Sequence, residues 1–215
     1  MLVKDRMTPD PFCGTPEMPV TEAQALMREK RIRHLPIVDD AGKLIGLVTQ
    51  RALMKALPSD VSHFSKFEIS YVLAKITVKD VMVTDVVTID EDTAIEEAAR
   101  IMADRRLGCL PVMRDGELIG IITDNDLFTL MVDVLGARNE GLRVTVSQPD
   151  RAGEVARISS TIASAGGYLL AYITYPTRDP AVWSSVLKVT NLSQDKLVDA
   201  LGRLEGIVVE DVRVM

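Results

Sequence analysis

An internal repeat constrains the fold of this sequence more than any other feature. The segment Val3–Met7 (VKDRM) returns as Val78–Met82 (VKDVM), an offset of 75 positions, and the match continues through both copies with one deletion. Self-similarity of this kind predicts two copies of one structural unit. We expect the copies over residues 1–57 and 74–136, joined by a linker at 58–73.

Each copy has the hydrophobic pattern of a β-α-β-β-α unit. In the second copy, Asp90, Asp92 and Thr93 offer side-chain oxygens to cap a helix whose apolar residues recur at helical spacing. An apolar strand follows, and Asp115-Gly116 separates it from another apolar strand, which is typical of a hairpin. A further helix is predicted to begin at Thr123.

After the second copy the pattern changes. From Leu142 the strand and helix signals follow the order β-α-β-β-α-β, with a turn at 149–153 and a helix stop at Gly166-Gly167. This order is typical of a ferredoxin-like domain. We predict that domain over 142–215, after a linker at 137–141. The whole chain is therefore expected to be of the α/β (α+β) class.

Composition argues against several classes of function. The chain carries 25 Lys and Arg against 31 Asp and Glu, so its net charge of −6 does not attract nucleic acid or anionic lipid. Two cysteines cannot form a disulfide framework, and no apolar run is long enough to span a membrane. The first residues lack the apolar stretch of a signal peptide. We expect a cytoplasmic protein without nucleic-acid or membrane partners.

Residues suited to catalysis are sparse. The two histidines, His34 and His63, are far apart in sequence and lack a third metal-ligand signal. No nucleophile-base pair, carboxylate pair or Walker motif is visible. We therefore expect no catalytic residues, no metal and no required cofactor.

The most informative stretch of the chain is Gly120–Asp126 (GIITDND). A glycine in the strand lets a ligand approach the backbone, and Thr123 begins a helix whose first amides suit a phosphate. Asp126, one turn later, is placed to accept both hydroxyls of a ribose. The same residues also fit a purely structural interpretation, in which Thr123 and Asp124 cap the helix and Asp126 interacts with its positive end. Spacing alone leaves both interpretations open.

The two copies resemble tandem CBS domains, the Bateman module. Each has a Leu-Pro-apolar strand (Leu35-Pro36 and Leu110-Pro111), a short turn and a Gly-apolar-apolar-Thr segment, and the second copy completes the motif with Asp126. The C-terminal part resembles an ACT domain, with Asp150–Gly153 matching its Asp-x-x-Gly turn. By length and order, the chain is similar to the acetoin-utilisation accessory proteins of bacteria.

The CBS resemblance implies an adenosyl ligand between the repeats, with its ribose on Asp126, its phosphate on Thr123 and its adenine on backbone and apolar groups. Candidates are AMP, ADP, ATP, NAD and S-adenosylmethionine. The motif contains no cation of its own, which favours AMP or S-adenosylmethionine over ATP. The residues carried over from the family pattern are Asp10, Phe12, Gly108, Cys109, Leu110, Thr123, Asn125 and Asp126.

The equivalent cleft on the first copy departs from the pattern. Ala52 stands where the ribose-binding Asp is expected, and a methyl group cannot accept hydrogen bonds, which are worth about 1.5–3 kcal/mol each when charge-assisted. We expect this cleft to be empty, weak or used by another anion, near Arg33, His34, Thr49 and Arg51. The basic run Arg28–Arg33 fits either a solvated helix end or an anion-lined cleft.

These features predict a non-enzymatic regulator that senses an adenosyl ligand. The ACT-like domain is expected to bind a second small molecule near Asp150, Arg151 and Gly153, or to serve dimerisation alone. The resemblance also implies a homodimer. The alternative is an accessory or catalytic subunit in acetoin-type catabolism, and either function is compatible with an unidentified partner enzyme.

Overall fold

The structure, a computed structural model, describes residues 1–56 and 76–215. The predicted linker 58–73 lies outside the described residues. The chain divides into two compact units, Met1–Leu127 and Phe128–Met215. The domain bounds proposed from the sequence stay predictions.

The first copy of the repeat follows the expected β-α-β-β-α order. One face of its first helix buries Val20, Ala23 and Met27 in a core shared with Leu35 and Ile37 of the following strand. Its elements are β1 (Thr8–Pro9), α1 (Val20–Lys30), β2 (His34–Val38), β3 (Leu44–Thr49) and α2 (Gln50–Lys55).

The second copy repeats this order, and its hairpin confirms the Asp-Gly prediction. Asp115 (φ +50°) and Gly116 (φ +85°) both have the positive φ that a type I′ turn requires. They join Arg114 to its cross-strand partner Glu117. The elements are β4 (Ile89–Asp90), α3 (Ile95–Arg105), β5 (Cys109–Arg114), β6 (Glu117–Thr123) and α4 (Asp124–Val134).

The two copies exchange their leading segments, which are residues 1–12 of the first copy and the equivalent residues 76–87 of the second. Strand β1 of the first copy pairs antiparallel with β6 of the second, with Thr8 opposite Ile121, and extends a sheet of order β1-β6-β5-β4. In return, Val83 of the second copy bridges Leu47 on β3, and Val78 is fully buried in the core of the first copy. Each repeat is therefore completed by the other. The leading segment of each copy lies beside the strand that ends in the other copy's Thr motif, which is β6 in the second copy and β3 in the first.

The start of α3 corrects one prediction. Asp90, Asp92 and Thr93 do not cap this helix, because its N-cap is Ala94 and no side chain accepts a hydrogen bond there. The Asp90 carboxylate instead accepts the N–H of Asp92 at 2.9 Å, in the turn before the helix. The first amide of α3 donates to the backbone carbonyl of Met1 at 3.2 Å.

The C-terminal unit confirms the predicted β-α-β-β-α-β order. Its strands form one antiparallel sheet of order β10-β7-β9-β8. Two helices cover one face of this sheet and bury Ile158, Ile162, Leu197 and Leu201 against it. The elements are β7 (Leu142–Pro149), α5 (Glu154–Ser164), β8 (Tyr168–Pro176), β9 (Val182–Thr190), α6 (Gln194–Gly202) and β10 (Val208–Val214).

Candidate functional site

A cavity of about 810 Å³ opens where the leading segment of the first copy meets the motif of the second copy. Its volume is within the range of roughly 300–1,000 Å³ that is typical of small-molecule sites. The lining comes from residues 8–12, residues 30–34 at the junction of α1 and β2, and residues within 121–126 at the junction of β6 and α4. The pairing of β1 with β6 brings the first and last of these segments together.

The structure brings together one set of the predicted ligand residues. Asp10, Phe12, Thr123, Asn125 and Asp126 all line this cavity. They come from both copies of the repeat, as the exchange of leading segments requires. A molecule in the cavity would therefore contact both copies at once.

Asp126 and Thr123 are hydrogen-bonded to each other. The Asp126 carboxylate accepts the Thr123 N–H at 2.8 Å and the Thr123 hydroxyl at 2.7 Å. The same arrangement joins Thr77 and Asp80, away from the cavity, at 2.8 and 3.0 Å. Asp126 thus interacts with the start of α4, as the structural interpretation expects of this residue, while the Thr123 hydroxyl donates to Asp126 instead of accepting a helix amide. A carboxylate offers about four acceptor positions, so Asp126 keeps capacity for two further donors.

The leading segment provides an aromatic side chain at the cavity. Asp10 has a φ of +46°, a left-handed conformation that Asp adopts more readily than most residues, and its N–H donates to the carbonyl of Ile119 at 3.1 Å. Phe12 follows this turn and is half exposed. The Lys30 ammonium lies 5.2 Å from the centre of its ring, within cation–π range. The Lys30 ammonium lies over the ring, and half of the Phe12 surface remains exposed.

Cations from the first copy also line the cavity. They are Lys30, Arg31 and Arg33, so the basic run before β2 is part of a cleft at these positions. Arg33 forms an ion pair of 2.9 Å with Asp124. Arg33 and His34, predicted beside the second cleft, both line this cavity, and Arg33 also lines a smaller cavity near α1 and α2. The cavity therefore contains the positive charge that the motif itself lacks.

The environment of His34 favours its neutral form. Burial and then the positive charge of Arg33 hold the pKa of His34 below its usual value, while Asp124 acts in the opposite direction. A Cβ atom on Gly108 would lie 3.0 Å from Nε2 of this histidine. The absence of a side chain at Gly108 thus lets the backbone of the second copy approach His34 closely.

Gly108, Cys109 and Leu110 do not line the cavity, contrary to the family-based expectation. Leu110 is fully buried, and burial raises the pKa of the Cys109 thiol to about 12, so it stays protonated at neutral pH. Arg33 and His34, which line the cavity, are the repeat equivalents of Gly108 and Cys109. The exchange of leading segments places the first copy's version of this loop beside the second copy's motif.

Lys30 and Arg31 line the cavity, which agrees with one of the two interpretations that the sequence left open for the basic run. They immediately precede the strand that carries His34, and this position together with their charge was the available signal. A repeat offset aligns the loops of the two copies without stating which loop faces which motif. For that reason the sequence alone did not show which cleft these residues line.

The motif of the first copy, in which Ala52 replaces the expected Asp, does not line the 810 Å³ cavity. Thr49 accepts the N–H of Ala52 at 3.1 Å and so caps α2. Ala52 packs against the first copy's core. A second cavity of about 500 Å³ near α1 and α2 is lined without Thr49 or Arg51; its polar lining is Gln24, Arg28, Arg31, Arg33 and Gln50.

The residues predicted for a second ligand lie in the turn between β7 and α5. Arg151 and Arg157 both form ion pairs with the buried carboxylate of Glu154, the latter at 2.7 Å. Burial alone would raise the pKa of Glu154, yet hydrogen bonds from the two arginines hold it below its usual value. Gly153 has a φ of +94° at the start of α5. A ligand-binding role for Asp150, Arg151 and Gly153 stays a prediction.

Two kinds of feature are absent from residues 1–56 and 76–215. No group of three or more His, Cys, Asp or Glu side chains is placed to hold a metal ion. No helix there is both long and apolar enough to cross a membrane. His63 lies outside these ranges.

Curated relatives match the N-terminal part of the chain. The L-aspartate semialdehyde sulfurtransferase of Methanocaldococcus jannaschii is 30% identical over 130 residues, which cover 60% of this chain and 23% of that protein. The inosine-5'-monophosphate dehydrogenase of Thermoplasma acidophilum is 35% identical over 121 residues, 56% of this chain and 21% of that protein. The chain thus spans less than a quarter of the length of either relative.

Solved structures match the same part of the chain. A Vibrio cholerae protein assigned to acetoin utilization (AcuB) is 34% identical with a TM-score of 0.53, covering 64% of this chain and 95% of that one. The CBS domain pair of MJ0100, with 5'-methylthioadenosine and S-adenosyl-L-methionine, is 28% identical with a TM-score of 0.53, covering 65% and 98%. CBSX2 with AMP is 29% identical with a TM-score of 0.53, covering 62% and 97%.

The family comparison agrees with the repeat. The CBS domain family matches residues 3–59 and 78–133, which together make up more than half of the chain. The two matched segments correspond to the two β-α-β-β-α copies that exchange their leading segments. The chain therefore belongs to the CBS domain family.

Proposed function

We propose that this protein is a non-catalytic regulator that binds an adenine nucleotide in the cavity between its two CBS repeats. The observation that carries the proposal is that Thr123, Asn125 and Asp126 share one cavity with Asp10 and Phe12 of the other repeat. The related structures solved with AMP and with S-adenosyl-L-methionine support the adenosyl class of ligand.

The side chains that line the cavity suggest which residue binds each part of an adenine nucleotide. The remaining acceptor capacity of Asp126 suits the two ribose hydroxyls. The first turn of α4 suits a phosphate, because a helix N-terminus favours anions. The Thr123 hydroxyl would join it by turning its one hydrogen, which it donates to Asp126 in this structure, towards the phosphate. The exposed face of Phe12 suits a stacked adenine, since aromatic rings prefer offset contact with other planar systems.

The charges of the cavity favour a phosphate over a sulfonium group. Lys30, Arg31 and Arg33 line it against the two acids Asp10 and Asp126. A nucleotide phosphate gains from these cations, whereas the positive sulfonium of S-adenosylmethionine does not. We therefore rank AMP and ADP ahead of S-adenosylmethionine, with ATP and NAD as further candidates.

Calorimetric titration of the whole chain with AMP, ADP, ATP, NAD and S-adenosylmethionine tests the proposal. Asp126→Ala should weaken AMP binding by about 2–3 kcal/mol, roughly 30- to 150-fold, because two hydrogen bonds to a carboxylate are lost. Asp80→Ala is the matched control, since it removes the same pair of Thr–Asp hydrogen bonds away from the cavity. It should leave AMP affinity unchanged.

The ribose assignment is wrong if Asp126→Ala, still folded, binds AMP as tightly as the parent. Equal losses in Asp126→Ala and Asp80→Ala would point instead to general destabilisation. Chromatography of the nucleotides after incubation separates regulator from enzyme, because a regulator returns them unchanged. Turnover that Asp126→Ala abolishes would favour the catalytic alternative.

Regulation also requires an output. A ligand shifts a protein between two arrangements only if it binds them with different affinity. We propose that the C-terminal unit, by dimerisation or by a second small-molecule signal, relays nucleotide binding to a partner enzyme. Similarity to the Vibrio cholerae protein supports acetoin use as the process in which such a partner acts.

A further inference from the structure

The face of the C-terminal sheet away from α5 and α6 carries a row of cations. Arg213 on β10 lies directly opposite Arg143 on β7, which lies directly opposite Lys188 on β9. Like charges directly opposite one another on neighbouring strands destabilise a sheet, because their side chains are only about 5 Å apart at Cβ. Three such residues in one row need negative charge nearby.

Acidic side chains of the C-terminal unit neutralise only part of the positive charge of this row. Asp211 lies 2.9 Å from Arg213 and 3.4 Å from Arg143. Among residues 76–215, no carboxylate lies within 4.0 Å of the Lys188 ammonium, whose hydrogen bond to the Gly141 carbonyl is 3.5 Å long. That distance is beyond the usual range of such bonds. Lys188 is nevertheless only 3% exposed.

A buried ammonium group is costly unless an opposite charge and hydrogen bonds compensate it. Lys188 has three N–H donors, and its hydrogen bonds to the described part of the chain amount to the one long contact with Gly141. The residue therefore provides unused donors and uncompensated positive charge at a place from which water is largely excluded. Both properties are suited to an anionic ligand.

A cavity of about 180 Å³ adjoins these groups. Lys188 and Arg143 line it, and aliphatic side chains form its other walls, among them Leu135, Val186 and Met215. One water molecule takes up about 30 Å³ in the liquid, so the cavity has room for a small organic molecule. Its lining joins two cations to an apolar surface.

We propose that this cavity binds a short aliphatic carboxylate. The carboxylate would lie between the Lys188 ammonium and the Arg143 guanidinium, whose planar fork matches carboxylate geometry. The hydrocarbon chain would contact the aliphatic walls. Inorganic phosphate and sulfate fit less well, because they are polar on every side and would place oxygens against those walls. The site lies within the C-terminal unit, so it is separate from the nucleotide cavity.

Thermal unfolding and calorimetry of the whole chain with sodium acetate, butyrate and hexanoate test the proposal. Butyrate should raise the melting temperature in a concentration-dependent manner, since a ligand of the folded state stabilises it. Neutral butyramide, of the same shape, should not. Lys188→Met keeps the side-chain length and removes the charge, and should weaken butyrate binding at least about tenfold. Without butyrate, this variant should be as stable as the parent or more stable, because an uncompensated charge is gone.

Two further variants complete the test. Lys196→Met removes an exposed lysine of α6 and should leave butyrate binding unchanged. Ala171→Leu, directly opposite Lys188 on β8, fills the cavity while keeping both cations, and should abolish the butyrate response. The proposal is overturned if the parent responds to no carboxylate, if butyramide or inorganic phosphate matches butyrate, or if the Lys188→Met and Ala171→Leu variants, both folded by circular dichroism, respond like the parent.

Discussion

Asp126 and Ala52 occupy the same position of the two repeats, and a single carboxylate distinguishes them. In the second copy Asp126 accepts two hydrogen bonds from Thr123, whereas in the first Thr49 accepts one from the N–H of Ala52. We expect Ala52→Asp to restore the ribose acceptor of the first copy. Calorimetry should then show AMP stoichiometry rising from about one per chain towards two.

The substitution should retain the fold, at the cost of some of the packing that Ala52 makes with the first copy's core. An acid in the first turn of a helix stabilises it by about 0.3–1 kcal/mol. Thr49 is already in place, and Arg51 offsets the added charge. If the parent already binds two equivalent AMP molecules per chain, Ala52 does not disable its cleft.

His34 makes stability depend on pH. Its pKa in the folded state is lowered, by burial first and then by Arg33, so the unfolded chain binds more protons. The stability that depends on neutral His34 should be fully present above about pH 6.5, the ordinary histidine value, and lost as the pH falls towards the folded-state pKa. His34→Gln should flatten this part of the profile. Urea midpoints of both proteins at about pH 7.5 and 5.5 test the expectation. The same change of midpoint with pH in both proteins would contradict it.

At the scale of elements, the pairing of β1 with β6 depends on Gly120. A Cβ atom there would lie 2.5 Å from the sulfur of Met7 and 3.2 Å from the carbonyl oxygen of Thr8. Gly120→Ala should therefore cost about 1–3 kcal/mol of stability, as overpacking usually does. It should also weaken AMP binding, because the displaced segment carries Asp10 and Phe12. Urea unfolding and AMP titration measure the two effects.

The repeat supplies a matched control for Gly120→Ala. A Cβ atom on Gly46 would lie 2.5 Å from the sulfur of Met82, in the equivalent position. Gly46→Ala should cost similar stability but retain AMP affinity, because it disturbs the leading segment of the second copy, which does not line the nucleotide cavity. Equal losses of affinity in both variants would show that the position of β1 does not control the cavity.

At the scale of the whole molecule, we propose a homodimer in which a second copy covers one face of α4. Phe128, Met131 and Val134 are 61%, 51% and 50% exposed, and their spacing places them along one side of the helix. Light scattering after size-exclusion chromatography should give the dimer mass for the parent and the monomer mass for Phe128→Glu. Val155→Glu, at an exposed apolar residue of α5, is the control and should stay dimeric. A monomeric parent would contradict the proposal.

The order of elements was predictable because the patterns that specify it are local. The two β-α-β-β-α copies follow from a repeat and from apolar spacing, and the hairpin at Asp115-Gly116 follows from two residues that tolerate positive φ. The candidate motif was also visible, since Thr123, Asn125 and Asp126 are neighbours in the chain. Apart from the repeat, which is a direct match of sequence, each of these features depends on residues a few positions apart.

The tertiary structure decided which copy supplies each part of the site. The first amides of α1 and α3 donate to the carbonyls of Ile76 and Met1, backbone groups that belong to the other copy's leading segment and that no side-chain capping pattern reveals. Arg33 and His34 share the cavity with Asp126, whereas Cys109 pairs with the motif strand and neither it nor Gly108 lines the cavity. The sequence by itself determined two copies of one unit and the residues of its motif. The pairing of the two copies depends on backbone hydrogen bonds and close packing between segments that are distant in the sequence. A repeat offset does not specify these contacts.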